Sequence, residues 1–306
     1  MGQAVAKQSG DLLPQADPAV VEVGIYLSDI PSITFKEKKF QVDFKVFFRW
    51  EDGAINPAET FEIVNGHIDN KEVVVTKKVG SMNYALVRVE ATIHRNFDMS
   101  RYPMDAQAIK IQIEDRSGRL VYQEDKANSD TNPKISVPGW VLGKAETYAS
   151  TTKYKTTYGD PTRASGADSV VPRLTMAVAM QRAGNAFLVK NFSLMILAAY
   201  CAFAAFLVRA DHIDARLAFS LSAVFIASGT QGVLAASLPD GEGLTLGDVF
   251  YQTTVLFIVF SVVGSVRTFR DFLSGDEARA ITHSTRYAIA LSLLYPATLL
   301  LISRLL

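Results

Sequence analysis

The sequence changes character near Asn185, and this change restricts the folds that the chain can adopt. Before Asn185, short alternating segments are broken by turn residues; after it, four apolar stretches follow almost without interruption. Each stretch has about the length that a helix needs to cross ~30 Å of hydrocarbon. We therefore predict a membrane domain over 185–306 that contains four transmembrane helices, at about 187–208, 217–238, 249–266 and 287–306.

The first part of the chain has the pattern of an all-β domain. In its clearest strand, Phe40–Trp50 (FQVDFKVFFRW), apolar and polar residues alternate. Many short strands between turns, with no convincing long helix, are typical of an immunoglobulin-like β-sandwich. We predict this sandwich over 21–184, preceded by a flexible segment over 1–20. The Thr-, Ser- and Gly-rich segment Thr151–Val171 predicts a long exposed hairpin tip within it.

Composition argues against several classes of function. The 31 basic and 31 acidic residues balance, so no basic footprint for nucleic acid is visible. Cys201 is the only cysteine, which excludes an intrachain disulfide and fits a small buried hydrophobe. The four histidines lack metal-ligand spacing, and we find neither a nucleophile elbow nor a phosphate loop. We therefore expect no enzyme activity, no cofactor and no metal site.

Basic residues predict the orientation of the helices. Arg209 and Arg216 lie between the first two apolar stretches, and four further arginines lie between the last two. The connection over 239–248 carries three acids and neither Lys nor Arg. By the positive-inside rule, the first and third connections face the cytoplasm. We therefore expect a multi-pass protein whose β domain and C-terminus both lie outside the cytoplasm.

The second apolar stretch carries small and polar residues at helical spacing. We call these residues the small-residue face: Asp214, Ala218, Ser222, Phe225, Gly229 and Gly232. Such a face, beginning with a carboxylate, is typical of a helix that lines water. Close helix packing through small residues produces the same pattern, so both interpretations stay open. Asp214 also has an alternative role, as a partner of Arg209 or Arg216 at a helix start.

Three segments resemble the pentameric ligand-gated ion channel family, and its prokaryotic members in particular. The first is Arg101–Gln107 (RYPMDAQ), close to the family's signature of an aromatic residue, proline and aspartate. The second runs from Ile25 through Trp50 to Asp52 and resembles the first two strands of the receptor domain. The third is Asp214–Pro239, which resembles the pore helix. The Cys-loop disulfide is absent, as in prokaryotic members.

The resemblance implies a homopentamer in the inner membrane, with the second helix of five subunits around a pore. Each residue of the small-residue face then becomes a ring. Five Asp214 carboxylates would attract cations at the cytoplasmic mouth, and five Phe225 rings would close the pore by excluding water. The implied function is a ligand- or proton-gated, cation-selective channel, whose partners are lipid, permeant ions and a small molecule or proton.

The resemblance also implies a gating interface between the two domains. Its candidate residues are Glu37, Tyr102, Pro103, Asp105, Arg182 and Pro239. Asp105 is the expected partner of Arg182. Relatives often place a second acid where this chain has Thr34-Phe35-Lys36, so Glu37 is the expected substitute.

The sequence defines the ligand site less well than the other predicted features. Tyr148, Tyr154 and Tyr158 flank the predicted hairpin tip and are candidates for an aromatic cage around a cationic ligand. Ordinary packing of tyrosines on strands is the other interpretation. An alternative function is a membrane-anchored ligand-binding or sensor protein of the same fold that does not conduct.

Overall fold

A computed structural model of the chain describes residues 18–159, 168–241 and 243–305. The N-terminal region is rich in β-structure and the C-terminal region is helical. The strands are β1 (Ala19–Thr34), β2 (Lys39–Trp50), β3 (Phe61–Ile63), β4 (Gly66–Val79), β5 (Met82–His94), β6 (Ala106–Asp115), β7 (Leu120–Glu124), β8 (Asp130–Thr131), β9 (Trp140–Tyr154) and β10 (Ser169–Arg182). The helices are α1 (Pro57–Thr60), α2 (Gly184–Ala204), α3 (Ile213–Ala235), α4 (Leu246–Leu273) and α5 (Glu277–Leu305), with a 3₁₀ turn at Ala205–Leu207.

The strands form two sheets. One has the order β4-β5-β2-β1-β7, with β8 also pairing with β1, and the other has the order β3-β6-β10-β9. Strand β2 illustrates why these residues form strands: alternate side chains from Phe40 to Trp50 are buried, and those between them are more exposed. Residues of both sheets join a single hydrophobic cluster, which includes Ile25 and Phe44 of the first sheet and Ile111 and Leu174 of the second.

The hydrophobic cluster of the β region continues into the helices. Phe192 and Met195 of α2 and Leu246 and Phe250 of α4 belong to the same cluster as the strands. A second cluster, formed by α2, α3, α4, α5 and the 3₁₀ turn, lies farther along the helices. The β region and the near ends of the helices are therefore packed together as one continuous core.

Within the described residues, three helices are long and apolar enough to cross a membrane: α3, α4 and α5. The first predicted crossing falls on α2, whose apolar stretch among the described residues is Phe192–Leu207. The helices α4 and α5 extend beyond the apolar stretches predicted for them, since α4 runs from Leu246 to Leu273 and α5 begins at Glu277. Arg267 and Arg270 consequently lie on α4, and Arg279 and Arg286 lie on α5, rather than in a connection.

Two boundaries differ from those expected. Strand β9 continues to Tyr154 and β10 begins at Ser169, which pairs with Tyr154, so both ends of Thr151–Val171 are paired strand and the connection between them is shorter than predicted. Within that connection, residues 160–167 lie outside the described residues. Most of the predicted flexible segment, 1–17, also lies outside them, and β1 already begins at Ala19.

Candidate functional site

Helix α3 has one buried and one exposed side. Its buried residues are Arg216, Ser220, Ala223, Ala227 and Leu234. They recur at steps of three, four and seven, which places them on one face of a helix with 3.6 residues per turn. This face packs against α2 and α4. The orientation of α3 about its own axis is therefore fixed by contacts within the chain.

All six residues of the small-residue face are exposed. At about 100° per residue, their mean direction lies roughly 180° from the buried side. The Phe225 side chain is 69% exposed, although it is a large apolar group. A Cβ added at Gly229 or Gly232 would meet no atom within 4 Å. Close packing inside the chain therefore does not explain why small residues occupy this face.

Asp214 lies in the first turn of α3 with its side chain exposed. It pairs with neither Arg209 nor Arg216, the two partners considered from the sequence. Arg209 approaches Asp211 and Glu277, at 3.4 Å in each case. Arg216 turns inward to hydroxyl and carbonyl oxygens of its own chain. The carboxylate of Asp214 consequently projects from the exposed side of α3 without a salt bridge to either arginine.

The pair expected between the β region and the helices is present. The Nε atom of Arg182, at the end of β10, lies 3.0 Å from Oδ1 of Asp105. The Asp105 side chain is 1% exposed and that of Arg182 is 12% exposed. Gln107 donates a second hydrogen bond, of 2.8 Å, to the other carboxylate oxygen. Both Asp105 oxygens are thereby held by polar hydrogens in a site with little solvent.

Arg182 is also surrounded by aromatic rings. Its guanidinium carbon lies 4.1 Å from the ring centre of Trp140, 5.2 Å from that of Tyr102 and 5.3 Å from that of Phe35. Aromatic faces attract cations, and more strongly where water is excluded. The cation at the domain junction is therefore stabilised by one carboxylate and three rings.

Glu37 does not take the place of a second acid. It lies in the turn between β1 and β2 and forms an ion pair with Lys39, the first residue of β2; the Glu37 side chain is exposed and that of Lys39 is partly exposed. The position against Arg182 is taken by Phe35 of the same turn, which packs with Phe97 and Trp140, while the Glu37 carboxylate is engaged by Lys39.

The segment 100–103 is bonded to the start of α4. The backbone N–H groups of Leu246 and Gly247 donate to the carbonyl oxygens of Ser100 and Tyr102, each at 2.9 Å. The peptide bond between Tyr102 and Pro103 is cis. Pro239, near the α3 end of the connection between α3 and α4, is buried. A movement of this segment would therefore be transmitted directly to α4.

The Tyr102 hydroxyl links the same segment to α3. It is hydrogen-bonded to Ser237, just beyond the C-terminal end of that helix. Burial raises the pKa of Tyr102, and the bond to Ser237 and the charge of Arg182 oppose this shift. Tyr102 therefore contacts the end of α3 with its hydroxyl, α4 with its carbonyl and Arg182 with its ring.

The predicted tyrosine cage is only partly assembled. Tyr154 and Tyr158 meet edge to face with ring centres 6.0 Å apart. The guanidinium of Arg116 lies over both rings, at 5.7 and 4.6 Å. Tyr148 lies six residues earlier on β9, about 20 Å along the strand, and does not join them. These rings are therefore in contact with a cation of the chain itself.

Tyr154 is also part of a buried polar network. Its hydroxyl lies 2.9 Å from a carboxylate oxygen of Glu114, which forms an ion pair with Arg173. Burial raises the pKa of Tyr154, and the neighbouring Glu114 carboxylate raises it further. The ring of Tyr154 is consequently held in one orientation.

Sequence reasoning assigned Arg216 to a connection and missed its role in the helices. The side chain is 1% exposed, and its guanidinium contacts Val208, Thr268 and Ser284. A usable signal was present, since Arg216 precedes Ser220, Ala223 and Ala227 at helical spacing on the side away from the small-residue face.

No group of three or more His, Cys, Asp and Glu side chains that could hold a metal ion occurs within 18–159, 168–241 and 243–305. Neither a protein-family model nor a curated protein matches this chain. Its function is therefore inferred from the arrangement of its own residues.

Proposed function

We propose that this chain is one subunit of a ligand- or proton-gated, cation-selective ion channel of the pentameric ligand-gated type. Helix α3 of five subunits would line the pore. The observation that carries the proposal is the direction of the small-residue face, which points away from the helices of its own chain along the length of α3. A face that needs no partner within the subunit is suited to line water at the centre of an assembly.

The fold supports the same proposal. Two sheets with a common hydrophobic cluster suit an immunoglobulin-like β-sandwich outside the membrane. Helix α2 would be the first of four crossings, so that the β region and the C-terminus lie on the same side, outside the cytoplasm. Exposed apolar residues on α3 flank the small-residue face and would contact lipid or neighbouring subunits; they include Leu217, Phe219, Leu221, Ile226 and Val233.

Replacing Asp214 with asparagine is expected to reduce cation selectivity about tenfold or more. Five carboxylates at a narrow mouth raise the local concentration of cations by roughly 10–10³. Reversal potentials in planar bilayers under a salt gradient measure this effect. Glu277→Gln is the matched control, because it removes an exposed carboxylate from the same end of the helices without touching α3. Equal selectivity in the two variants would contradict the role of Asp214.

Replacing Phe225 with alanine is expected to raise the current in the absence of any stimulus. A ring of phenylalanines closes a pore by excluding water, and smaller side chains admit it. A tenfold rise corresponds to about 1.4 kcal/mol in the balance between closed and open states. Phe260→Ala on α4 is the control, since that ring is also exposed but belongs to another helix. A leak of the same size in both variants would exclude Phe225 as the gate.

The same recordings separate the channel from its alternative, a membrane-anchored sensor that does not conduct. Native mass spectrometry of the purified protein gives the number of subunits. A well-folded pentamer that stays silent over a pH series, and in which Phe225→Ala opens no current, would support the sensor.

A further inference from the structure

A cavity of about 550 Å³ opens on the β region where the two sheets separate. Its walls come from the end of β5, the turn between β1 and β2, the turn before β4, and strand β6. Its volume falls within the range of about 300–1,000 Å³ that is typical of sites for small molecules. None of the residues used in the channel proposal lines it.

The walls of this cavity are basic. Four of the nine lining residues are Lys, Arg or His, and none is acidic. The basic residues are Lys38, His94, Arg95 and Lys110, and amide side chains of Asn65 and Gln112 lie beside them. The whole chain has as many acids as bases, so this concentration of positive charge is a local feature. A concave surface with charges of one sign attracts ligands of the opposite sign.

Arg95 adds a second, independent observation. Its Nε atom is buried and has no hydrogen-bond partner. Burial lowers the pKa of Arg95, and no acid opposes this shift. Buried polar hydrogens in native proteins almost always have an acceptor, and an exception calls for an explanation. The missing acceptor would be supplied by a ligand that enters the cavity.

We propose that this cavity is a binding site for a small oxyanion, either a carboxylate or a phosphate compound. The guanidinium of Arg95 offers a planar fork of donors that fits carboxylate and phosphate oxygens. The ammonium group of Lys110, on β6, supplies a second charge from the opposite wall. The amide group of Asn65 provides a neutral donor, and Gln112 has one amide N–H left for the anion after its hydrogen bond of 3.2 Å to Thr175.

The position of the site gives it a route to the domain junction. The backbone N–H of Arg95 donates to the carbonyl of Lys38 at 2.7 Å, and the N–H of Lys38 donates to the carbonyl of Phe35 at 2.9 Å. The ring of Phe35 lies against Arg182. An anion that orders Arg95 therefore acts on the turn that contacts the junction. An effect on current rests on the channel proposal, whereas the binding of the anion does not.

The test is calorimetric titration of the full-length protein in nanodiscs with succinate, inorganic phosphate and the neutral analogue succinamide. We expect succinate, phosphate or both to bind and succinamide not to bind, and the stronger of the two anions identifies the class of ligand. Arg95→Gln is expected to weaken binding about tenfold or more, since it removes a charged donor. Lys110→Gln tests the opposite wall with a partly exposed residue, so the proposal stays testable if Arg95→Gln does not fold.

Lys144→Gln is the matched control, because Lys144 is exposed on β9 and does not line the cavity. This variant removes the same charge from the β region, and its affinities for succinate and phosphate should equal those of the unmodified protein. Three results would overturn the proposal: no binding of either anion, equal binding of succinamide, or affinities in Arg95→Gln and Lys110→Gln that match Lys144→Gln.

Discussion

Replacing Arg216 with alanine is expected to destabilise the helical region by about 2–5 kcal/mol, because hydrogen bonds from a charged donor contribute about 1.5–3 kcal/mol and truncation of a large buried side chain leaves a cavity. The side chain is 1% exposed and lies among α4, α5 and the segment before α3. Its Nε and Nη2 atoms donate to the Val208 carbonyl at 3.1 and 2.6 Å. Its Nη1 atom donates to Thr268 at 2.7 Å, and Nη2 also donates to Ser284 at 3.0 Å.

The physical reason is that alanine leaves these oxygens without a donor and opens a void between helices. Each unsatisfied buried group costs about 1–3 kcal/mol, and an unfilled cavity adds to that cost. Thermal unfolding of the detergent-solubilised protein, followed by size-exclusion chromatography, measures the loss. Arg216→Lys keeps the charge but loses the planar guanidinium. We therefore expect its unfolding temperature to lie between those of Arg216→Ala and the unmodified protein.

Arg209→Ala is the matched control for Arg216. Arg209 has a side chain that is 67% exposed, and its ion pairs with Asp211 and Glu277 are 3.4 Å long. Exposed pairs contribute about 0–1 kcal/mol. If Arg209→Ala and Arg216→Ala unfold at the same temperature, the buried hydrogen bonds of Arg216 contribute little, and the orientation of α3 is set by apolar packing alone.

Replacing Asp105 with asparagine is expected to loosen the domain junction while the β core stays folded. The variant keeps the shape of the side chain but removes the charge that faces Arg182 at 3.0 Å. Breaking a buried ion pair costs about 3–5 kcal/mol because one charge stays buried without its partner. Hydrogen exchange at the backbone amides of Leu246 and Gly247 should become faster, since their acceptors lie in the segment that precedes Asp105.

Asp98→Asn is the control for Asp105, because Asp98 lies in the same loop but is exposed. Its carboxylate accepts only local hydrogen bonds from Ser100, which lower its pKa. We expect Asp98→Asn to leave the amides of Leu246 and Gly247 protected. Unchanged exchange in Asp105→Asn would show that the ion pair does not hold the junction. Under the proposed channel function, the same variant should reduce the evoked current about tenfold or more, as a 1.4 kcal/mol change in coupling requires.

A charge exchange distinguishes the ion pair from the rings. With Asp105→Arg and Arg182→Asp together, opposite charges face each other again, but a carboxylate now lies among the faces of Trp140, Tyr102 and Phe35. Aromatic faces carry negative potential, so they repel a carboxylate. We therefore expect the exchange to fail to restore slow amide exchange. Full restoration would mean that the rings add nothing beyond packing.

The strands and the apolar helices could be predicted from the sequence because they depend on local periodicity. The alternation in Phe40–Trp50 and the long apolar stretches are set by which side of a strand or helix faces a core. The sharing of one helix face by the six small-residue positions was predictable for the same reason, whereas the sequence left open whether that face packs against a helix or is exposed. The pairing of Asp105 with Arg182 was anticipated only through resemblance, since the two residues are 77 positions apart.

Other features depend on contacts that no local pattern encodes. The packing of Phe35 against Arg182 joins a turn to the end of a strand far along the chain. Two of the three partners of Arg216 lie 52 and 68 positions away, and an arginine beside an apolar stretch resembles a residue of a polar connection. The contact of Arg116 with Tyr154 and Tyr158 arises because strands β6 and β9 flank β10 in one sheet.

The hydrophobic cluster that contains the strand core also contains five buried helix residues, and this has a consequence for protein engineering. The five residues are Phe192, Met195, Leu234, Leu246 and Phe250. A β region that is excised at Arg182 would expose the apolar surface that these five side chains cover, and it would tend to aggregate. A chimaera that joins this β region to foreign helices would leave the same surface uncovered unless these five residues are transferred with the strands. The practical boundary between exchangeable modules therefore lies within the helices.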